Sequence, residues 1–166
     1  LGVRVAEWLG PLTGVERALD SGCGTGALAF ALASGVGSVV GVDADSASIA
    51  VAQARAPANV ELRVDDATQL PFADATFDLA GCLRVLHHVE TPDRVVAELA
   101  RVARVGARVL VVDQLRDADP VVAEANERFE RARDAGHARL LGRGEIEAMM
   151  LAAGLISPGW MMPICS

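Results

Sequence analysis

Three glycines at alternate positions, Gly22, Gly24 and Gly26, stand between two apolar stretches of the chain. Glycine lets the backbone bend sharply and lets a ligand approach the main chain closely, and the first amides of a following helix attract a negative group. Asp20, just before the glycines, adds a carboxylate at the same place. The spacing therefore predicts a nucleotide-binding turn between a strand and a helix, and Gly22-x-Gly24-x-x-Ala27 also satisfies the dinucleotide-binding pattern.

The elements that must position this turn are short apolar runs that alternate with helical patterns. The predicted strands are 17–19, 38–42, 60–64, 77–82 and 108–112, and the predicted helices are 25–33, 46–55 and a third that starts at Pro92 and ends by Gly106. Such alternation predicts a parallel sheet covered on both faces. We expect one α/β domain over residues 1–166 with a doubly wound, mostly parallel sheet.

Ligands of doubly wound sheets bind outside the carboxyl ends of the strands, where the strand order reverses. At those ends the sequence places Asp20, Asp43, Asp66, Cys82 and Asp113. These residues are therefore the first candidates for a binding site.

The composition excludes several classes of function. The chain contains no lysine and no tyrosine, since all fifteen basic residues are arginine. It therefore lacks the P-loop lysine, a Schiff-base lysine and the Tyr/Lys pair of one large class of nicotinamide dehydrogenases. The net charge of −7, without a basic run, argues against a nucleic-acid partner.

The cysteines and the longest uncharged stretch indicate in which part of the cell the protein is expected. Cys23, Cys82 and Cys165 are far apart and lack metal-ligand spacing, so we expect free thiols, no metal site and a cytoplasmic protein. Residues 21–42 carry no charge over 22 positions, which is long enough for a membrane helix. Glycines and serines break that stretch into turn, helix, turn and strand, so we expect no membrane span.

Five ordered motifs resemble the class I S-adenosylmethionine-dependent methyltransferases, and within them the branch that includes the ubiquinone and menaquinone biosynthesis enzymes. The motifs are Leu19-Asp20-Ser21-Gly22-Cys23-Gly24-Thr25-Gly26, Gly41-Val42-Asp43, Asp65-Asp66-Ala67, Leu70-Pro71-Phe72 with Phe77-Asp78, and Val85-Leu86-His87-His88-Val89. The chain departs from the family in two places. Arg104-Val105-Gly106-Ala107 stands where Arg-Pro-Gly-Gly is usual, and Ser21 fills a position that is more often apolar.

The resemblance implies the Rossmann-like methyltransferase fold, S-adenosylmethionine as cofactor and a set of binding residues. That set is Asp20, Gly22, Cys23, Gly24, Gly26, Asp43, Ala44, Asp66, Ala67 and Cys82. Asp43 would accept hydrogen bonds from both ribose hydroxyls. The alternative role for Asp43, a helix cap, is already supplied by Asp45.

Two further members of the set have implied roles. Asp66 would accept from the adenine amino group beside the flat neighbour Ala67, although it would also form an Asx turn into Thr68. Cys82 would contact the methionine portion through its main chain, while its thiol is a small buried group.

Methyl transfer is an in-line displacement at carbon that needs positioning, with a base only where the acceptor carries a proton at neutral pH. The candidates for that base are His87, His88, Asp113 and His137. In the alternative interpretation one residue of the histidine pair packs beneath the loop and the other is solvated. No catalytic residue is therefore assigned from the sequence.

Residues 114–142 are a possible lid over the acceptor, or else a surface segment packed on the sheet. They include a charged amphipathic helix at 117–133. Its expected inward side consists of Val121, Val122, Ala125, Phe129 and Ala132.

The function predicted from these residues is methyl transfer from S-adenosylmethionine to a small molecule. A nicotinamide-dependent oxidoreductase and a non-catalytic S-adenosylmethionine-binding domain are the alternatives. The relatives close their sheet with a C-terminal hairpin, whereas here the chain stops after one poor candidate strand, 155–162, which contains Pro158 and Gly159. We therefore expect a truncated domain, lacking part of that hairpin, with an open edge at strand five and a possible homodimer across it.

Overall fold

The computed structural model describes residues 8–155. The strands are β1 (Arg17–Ser21), β2 (Ser38–Asp43), β3 (Val60–Val64), β4 (Phe77–Leu83) and β5 (Ala103–Val112). The helices are α1 (Ala27–Ala33), α2 (Ser46–Gln53), α3 (Pro92–Val102), α4 (Pro120–Arg133) and α5 (Arg143–Ala152), and a 3₁₀ turn covers Leu86–His88. The sequence also predicts the end of a helix over residues 1–9; Trp8 and Leu9 are helical, and the rest of this segment lies outside the described residues.

The five strands form one sheet in the order β3-β2-β1-β4-β5, and every neighbouring pair is parallel. The chain builds outward from β1 to β2 and β3, and then returns to add β4 and β5 on the other side of β1. This reversal confirms the predicted doubly wound α/β fold. It also opens a crevice between the carboxyl ends of β1 and β4.

Apolar side chains cover both faces of the sheet. On one face Leu28 and Leu32 of α1 pack with strand residues such as Val39. On the other face the buried stripe of α3, which includes Leu99, packs with Ile146 of α5. Burial of both faces explains why the central strands read as nearly continuous apolar runs.

Strand β5 differs from the prediction at its start. Helix α3 ends at Val102 rather than near Gly106, and β5 begins at the next residue instead of at Arg108. Phe77 of β4 pairs with Ala103, whereas Leu79 pairs with Arg108, so β5 carries three more residues than β4 across this step. The extra residues bulge outward, and Gly106 takes a positive φ of 81° there. They belong to the segment in which the sequence departs from the family pattern.

The expected inward side of α4 is wrong. Its apolar positions, Val121, Val122, Ala125, Phe129 and Ala132, are all exposed. The buried positions are Ala123 and Glu130, and partly buried Glu127 also faces inward. This orientation follows from polar contacts, because Glu127 accepts from the amide of Leu140 and Glu130 accepts from Gln114 Nε2. The apolar pattern alone could not show those partners.

Two expectations concern the C-terminal residues, most of which the structure does not describe. The candidate strand 155–162 and the missing hairpin lie outside residues 8–155, apart from Leu155 itself. Within the described part, no helix has the length and apolar character needed to cross a bilayer.

Candidate functional site

The glycine turn joins β1 to α1 and is tied to the end of β2. Gly22, Gly24 and Gly26 all have positive φ, at 73°, 50° and 93°. The amides of Gly22 and Cys23 both donate to the carbonyl of Val42 at 2.8 Å. A Cβ on Gly22 would lie 2.4 Å from Val85 Cγ2, so only glycine fits here.

Asp43 fixes the same turn from the end of β2. Its Oδ2 accepts from the amide of Gly24 at 2.6 Å, and its Oδ1 accepts from the amide of Asp45 at 2.9 Å. Asp45 itself caps α2 by accepting from two amides of the first turn, as expected. Each oxygen of Asp43 retains a further lone pair, which leaves room for hydroxyl donors.

Because the amides of Gly22, Cys23 and Gly24 are already bonded to β2, they are not free to hold a phosphate. The carboxylate of Asp20 also lies at the first turn of α1, where its Oδ2 accepts from the amide of Ala29 at 2.8 Å. A carboxyl group of the protein already occupies the position that a pyrophosphate would need. The geometry therefore favours a ligand without phosphate over a dinucleotide.

Asp20 is the most unusual carboxyl group in this turn. It is fully buried, and its Oδ1 has no hydrogen-bond partner among the described residues. Burial, together with the charge of Asp43, raises the pKa of Asp20 from 3.8 to about 7. A buried carboxyl oxygen without a donor, on a cavity wall, is suited to a cationic or hydroxyl group of a ligand.

A cavity of about 500 Å³ crosses the crevice at the carboxyl ends of the strands. This volume lies within the range of about 300–1,000 Å³ that is usual for small-molecule sites. Eight of the ten predicted cofactor-binding residues line the cavity: Asp20, Gly22, Cys23, Gly24, Asp43, Ala44, Asp66 and Ala67. The other two, Gly26 and Cys82, do not line it.

Asp66 and Ala67 form the end of the cavity beyond β3. Asp66 Oδ1 accepts from the amide of Thr68 at 2.7 Å and from its hydroxyl at 2.8 Å. The Asx turn is therefore present, and the second carboxylate oxygen remains available. A ligand role for Asp66 is compatible with the turn, as the sequence analysis expected.

The two described cysteines are buried free thiols. Burial raises the pKa of Cys23 above its usual range, and the charges of Asp20 and Asp43 add to this effect. Burial likewise raises the pKa of Cys82, which is fully enclosed in the core. Neither thiol is therefore suited to act as a thiolate nucleophile at neutral pH.

Four residues at and after the end of β4 also line the cavity, and they were not among the site residues predicted from the sequence. Leu83, Arg84, Val85 and Val89 line the cavity on the side away from Asp66. Arg84 has a positive φ of 59°, a conformation that costs a residue with a side chain about 1–3 kcal/mol. Nothing in the sequence signals that conformation, although the motif from Val85 to Val89 lies directly beside it.

The four candidates for a catalytic base have different positions. His87 is buried, its Nδ1 is hydrogen-bonded to Asp113 Oδ1, and Asp113 also accepts from the amides of Leu86 and Gln114 at 2.7 Å. His137 is enclosed and its Nε2 lies 2.9 Å from Glu127 Oε2. Only His88 lines the cavity. Three of the four candidates therefore take part in contacts that hold the fold together.

Both ring nitrogens of His88 lie near groups of the loop after α4. Its Nδ1 lies 3.2 Å from the carbonyl of Gly136, which accepts a hydrogen bond from the ring. Its Nε2 lies 3.8 Å from Asp134 Oδ2. The ring also packs against that of His87 at an interplanar angle of 41°, with 4.1 Å between the ring centroids.

A comparison with protein families gives a match to the methyltransferase domain over residues 19–111. This range includes more than half of the chain and all five motifs. The chain belongs to the methyltransferase domain family. The cofactor that this membership implies is S-adenosylmethionine, and the pattern of a free Asp20 oxygen and spare Asp43 lone pairs fits its ammonium and ribose groups.

Two relatives show how far the likeness of this methyltransferase domain extends. The 27-O-demethylrifamycin SV methyltransferase of Amycolatopsis mediterranei is 36% identical over 155 residues, which cover 87% of this chain and 56% of that protein. The uncharacterized methyltransferase YcgJ of Bacillus subtilis is 35% identical over 109 residues, covering 64% of this chain and 43% of the relative. The chain thus spans about half the length of these curated relatives.

Solved structures agree with the sequence comparisons. The crystal structure of YcgJ superposes with a TM-score of 0.84 at 32% identity, covering 92% of this chain and 66% of that one. Phosphoethanolamine N-methyltransferase 2 of Haemonchus contortus, solved with S-adenosyl-L-methionine, gives a TM-score of 0.79 at 25% identity and covers 92% of this chain and 36% of that one. Nothing in these matches favours the nicotinamide alternative.

Proposed function

We propose that this methyltransferase domain binds S-adenosylmethionine in the cavity at the β1–β4 crevice and transfers its methyl group to a small-molecule acceptor. The observation that carries the proposal is the cavity itself, in which Asp20, Asp43 and Asp66 succeed one another along the strand ends. When bound, the cofactor would supply an electrophilic methyl group. A nucleophilic atom of the acceptor would bond to the methyl carbon in line with the sulfur–carbon bond, which breaks so that S-adenosylhomocysteine is the leaving group.

The residues of the chain bind and orient the cofactor. Asp43 binds the ribose hydroxyls through the lone pairs that the amides of Gly24 and Asp45 leave free. Asp66 and Ala67 hold the adenine ring, and the unpartnered Oδ1 of Asp20 accepts from the ammonium of the methionine portion. Positioning of this kind supplies most of the acceleration that such a displacement needs.

Residues 114–142 form the acceptor side in this proposal. No residue of this segment lines the cavity in the described part of the chain. The segment is hydrogen-bonded to the motif beside the cavity, which supports the role of a lid: the amides of Ala138 and Arg139 both donate to the carbonyl of His87. That carbonyl belongs to the 3₁₀ turn beside His88, which does line the cavity. An oxygen acceptor is the first to test, because the relative from Amycolatopsis is named for 27-O-demethylrifamycin SV.

We further propose a cytoplasmic protein with no nucleic-acid partner, and a homodimer formed across β5. The two buried free thiols and the net charge of −7 support the first two points. The place of β5 at the edge of the described sheet supports the third. Sedimentation of the full chain measures the oligomeric state directly.

Ligand-induced stabilisation tests the cofactor assignment. S-adenosylmethionine and S-adenosylhomocysteine should raise Tm and NADH should not, because a ligand that binds only the folded state stabilises it by mass action. Asp43→Ala should weaken S-adenosylhomocysteine binding by about 10- to 100-fold, since hydroxyl donors then lose a charged acceptor. Asp65→Asn, a neighbouring carboxylate outside the cavity lining, is the control.

Two results would contradict the assignment. Unchanged affinity in Asp43→Ala would remove Asp43 from the site, and a rise in Tm with NADH alone would overturn the choice of cofactor. A methyl-transfer assay with labelled S-adenosylmethionine and hydroxylated small molecules separates an enzyme from a domain that only binds the cofactor.

A further inference from the structure

Arg84 is the one residue of the cavity wall whose backbone and side chain remain unexplained by cofactor binding. Among the described residues that line the cavity, it carries the only guanidinium group. Its φ of 59° lies in the region that glycine or asparagine occupies at lower cost. Its amide still donates to the carbonyl of Val112 at 2.7 Å, so the β4–β5 ladder continues up to this residue and the chain then turns away.

The guanidinium has a weak partner within the protein. Arg84 Nη2 lies 3.4 Å from Gln114 Oε1, which is long for a hydrogen bond. No carboxylate oxygen of the described residues lies within 4.0 Å of the guanidinium, whereas most of the other arginines in this part of the chain form an ion pair. The five donors of this group are therefore largely unused.

The neighbour Gln114 is an uncharged amide and does not neutralise the arginine. Gln114 Nε2 donates to Glu130 Oε1 of α4 at 3.1 Å, so the amide oxygen of Gln114 is turned towards Arg84. Glu130 is buried and is fixed in turn by Arg133. A guanidinium with free donors is suited to bidentate recognition of a carboxylate or phosphate.

The distribution of charge in the cavity points to the same conclusion. Asp20, Asp43 and Asp66 lie at the ends of β1, β2 and β3, while Arg84 follows β4 on the other side of the crevice. A ligand with donors at one end and an anionic group at the other would match this polarity.

We propose that Arg84 binds an oxyanion, a carboxylate or phosphate group, at the β4 end of the cavity. Two molecules could supply that group: the acceptor, or the cofactor through its own methionine carboxylate. The inference rests on the proposed function, since both sources occupy the methyl-transfer cavity. Whichever molecule supplies the oxyanion, Arg84 determines which molecules fit at this end of the cavity. Gln114 and Glu130 connect Arg84 to helix α4.

Calorimetry and NMR with the full chain separate the two sources. The ligands are S-adenosylhomocysteine, its decarboxylated analogue and inorganic phosphate. Phosphate binding is measured by NMR from the Arg Nε–Hε signals, in protein already saturated with S-adenosylhomocysteine or with the decarboxylated analogue. The variants are Arg84→Gln, Arg84→Gly and the control Arg94→Gln, an exposed arginine of α3 outside the cavity lining. Arg84→Gly removes the guanidinium and relieves the backbone, so its Tm should equal or exceed that of the unaltered chain.

If Arg84 binds an oxyanion of the acceptor, the Arg84 variants should bind phosphate at least tenfold more weakly, and their affinity for S-adenosylhomocysteine should change less than twofold. If Arg84 binds the carboxylate of the cofactor, the variants should bind S-adenosylhomocysteine about tenfold more weakly, and their affinity for the decarboxylated analogue should be unchanged. If neither affinity changes relative to Arg94→Gln, Arg84 binds no oxyanion and the inference is wrong. If the unaltered chain fails to bind S-adenosylhomocysteine, the proposed function fails, while phosphate binding to the free protein still decides the role of Arg84.

Discussion

Replacement of Asp20 by asparagine should change how stability depends on pH. Asp20 is fully buried, and its pKa in the folded protein is about 7 against 3.8 ordinarily. Above the lower value the unfolded chain loses its proton while the folded protein keeps it. The folded state then binds more protons, so the free energy of unfolding falls as pH rises until Asp20 ionises in the folded protein.

The size of the effect follows from the shift. At about 1.4 kcal/mol for each pKa unit, ionisation of Asp20 costs the folded state about 4 kcal/mol above pH 8. Of this, about 3 kcal/mol accumulates between about pH 5 and pH 8. Asparagine keeps the shape and can still accept from the amide of Ala29, but it cannot ionise. Other carboxylates contribute equally to both proteins, so the difference between the two curves isolates Asp20.

Urea unfolding at several pH values measures this difference. We expect the stability of Asp20→Asn relative to the unaltered chain to improve by about 3 kcal/mol from pH 5 to pH 8. Asp93→Asn, an exposed carboxylate of α3, should run parallel to the unaltered chain. Parallel curves for Asp20→Asn as well would refute the reasoning, because they would mean that burial leaves the ionisation of Asp20 unaltered.

The same variant examines the contact with the cofactor. An ammonium next to Asp20 favours its charged form, so binding should release a proton below pH 7 and the affinity for S-adenosylhomocysteine should rise from pH 5 to pH 7. In Asp20→Asn that dependence should disappear, and affinity at pH 8 should fall by about 10- to 100-fold through loss of a charge-assisted hydrogen bond. Equal affinities of the two proteins at pH 8 would place the ammonium elsewhere.

The remaining predictions concern the turn and the histidine pair. Gly22→Ala should cost about 2–4 kcal/mol and abolish S-adenosylhomocysteine binding, because its Cβ would clash with Val85 at a positive φ, whereas Gly24→Ala has open space and should cost about 1 kcal/mol in urea unfolding. His87→Gln should cost about 2–4 kcal/mol and His88→Gln less than about 1 kcal/mol, since only His87 is buried. A large loss of turnover with cofactor binding and stability intact, in either histidine variant, would show that this histidine acts in catalysis.

The end of the cavity lined by Asp20 and Asp43 was predictable from the sequence because its contacts join residues that are close in sequence. The amide of Gly24 reaches Asp43 only 19 residues away, and Asp20 reaches Ala29 across nine. The motif residues therefore lie close in sequence to their partners, and an acidic residue lies at or next to the end of every described strand except β4, which is followed by Arg84. The parallel order of the strands follows from the same alternation of runs and helices.

The other end of the cavity was not predictable, because its contacts join distant parts of the chain. His87 meets Asp113, and Arg84 meets Gln114, across 26 and 30 residues. Neither pair forms a recognisable sequence pattern. The predicted inward side of helix α4 was wrong because Glu130 faces inward to accept a hydrogen bond from Gln114, 16 residues away. Exposure of Phe129 follows from that choice of face.

This division between the two ends has a consequence for how the site can change. The glycine-turn end depends on backbone amides and on glycines such as Gly22 that admit no side chain, so in the proposed function a substitution there affects binding and folding together. The end beyond β4 depends on side chains such as Arg84 and His88, which are exposed and make few contacts in the core. In the proposed function, substitutions at those two positions would alter which acceptor fits and leave the sheet and the glycine turn intact. Differences in acceptor between this chain and its relatives should therefore map to the segment after β4 and to helix α4, rather than to the glycine turn.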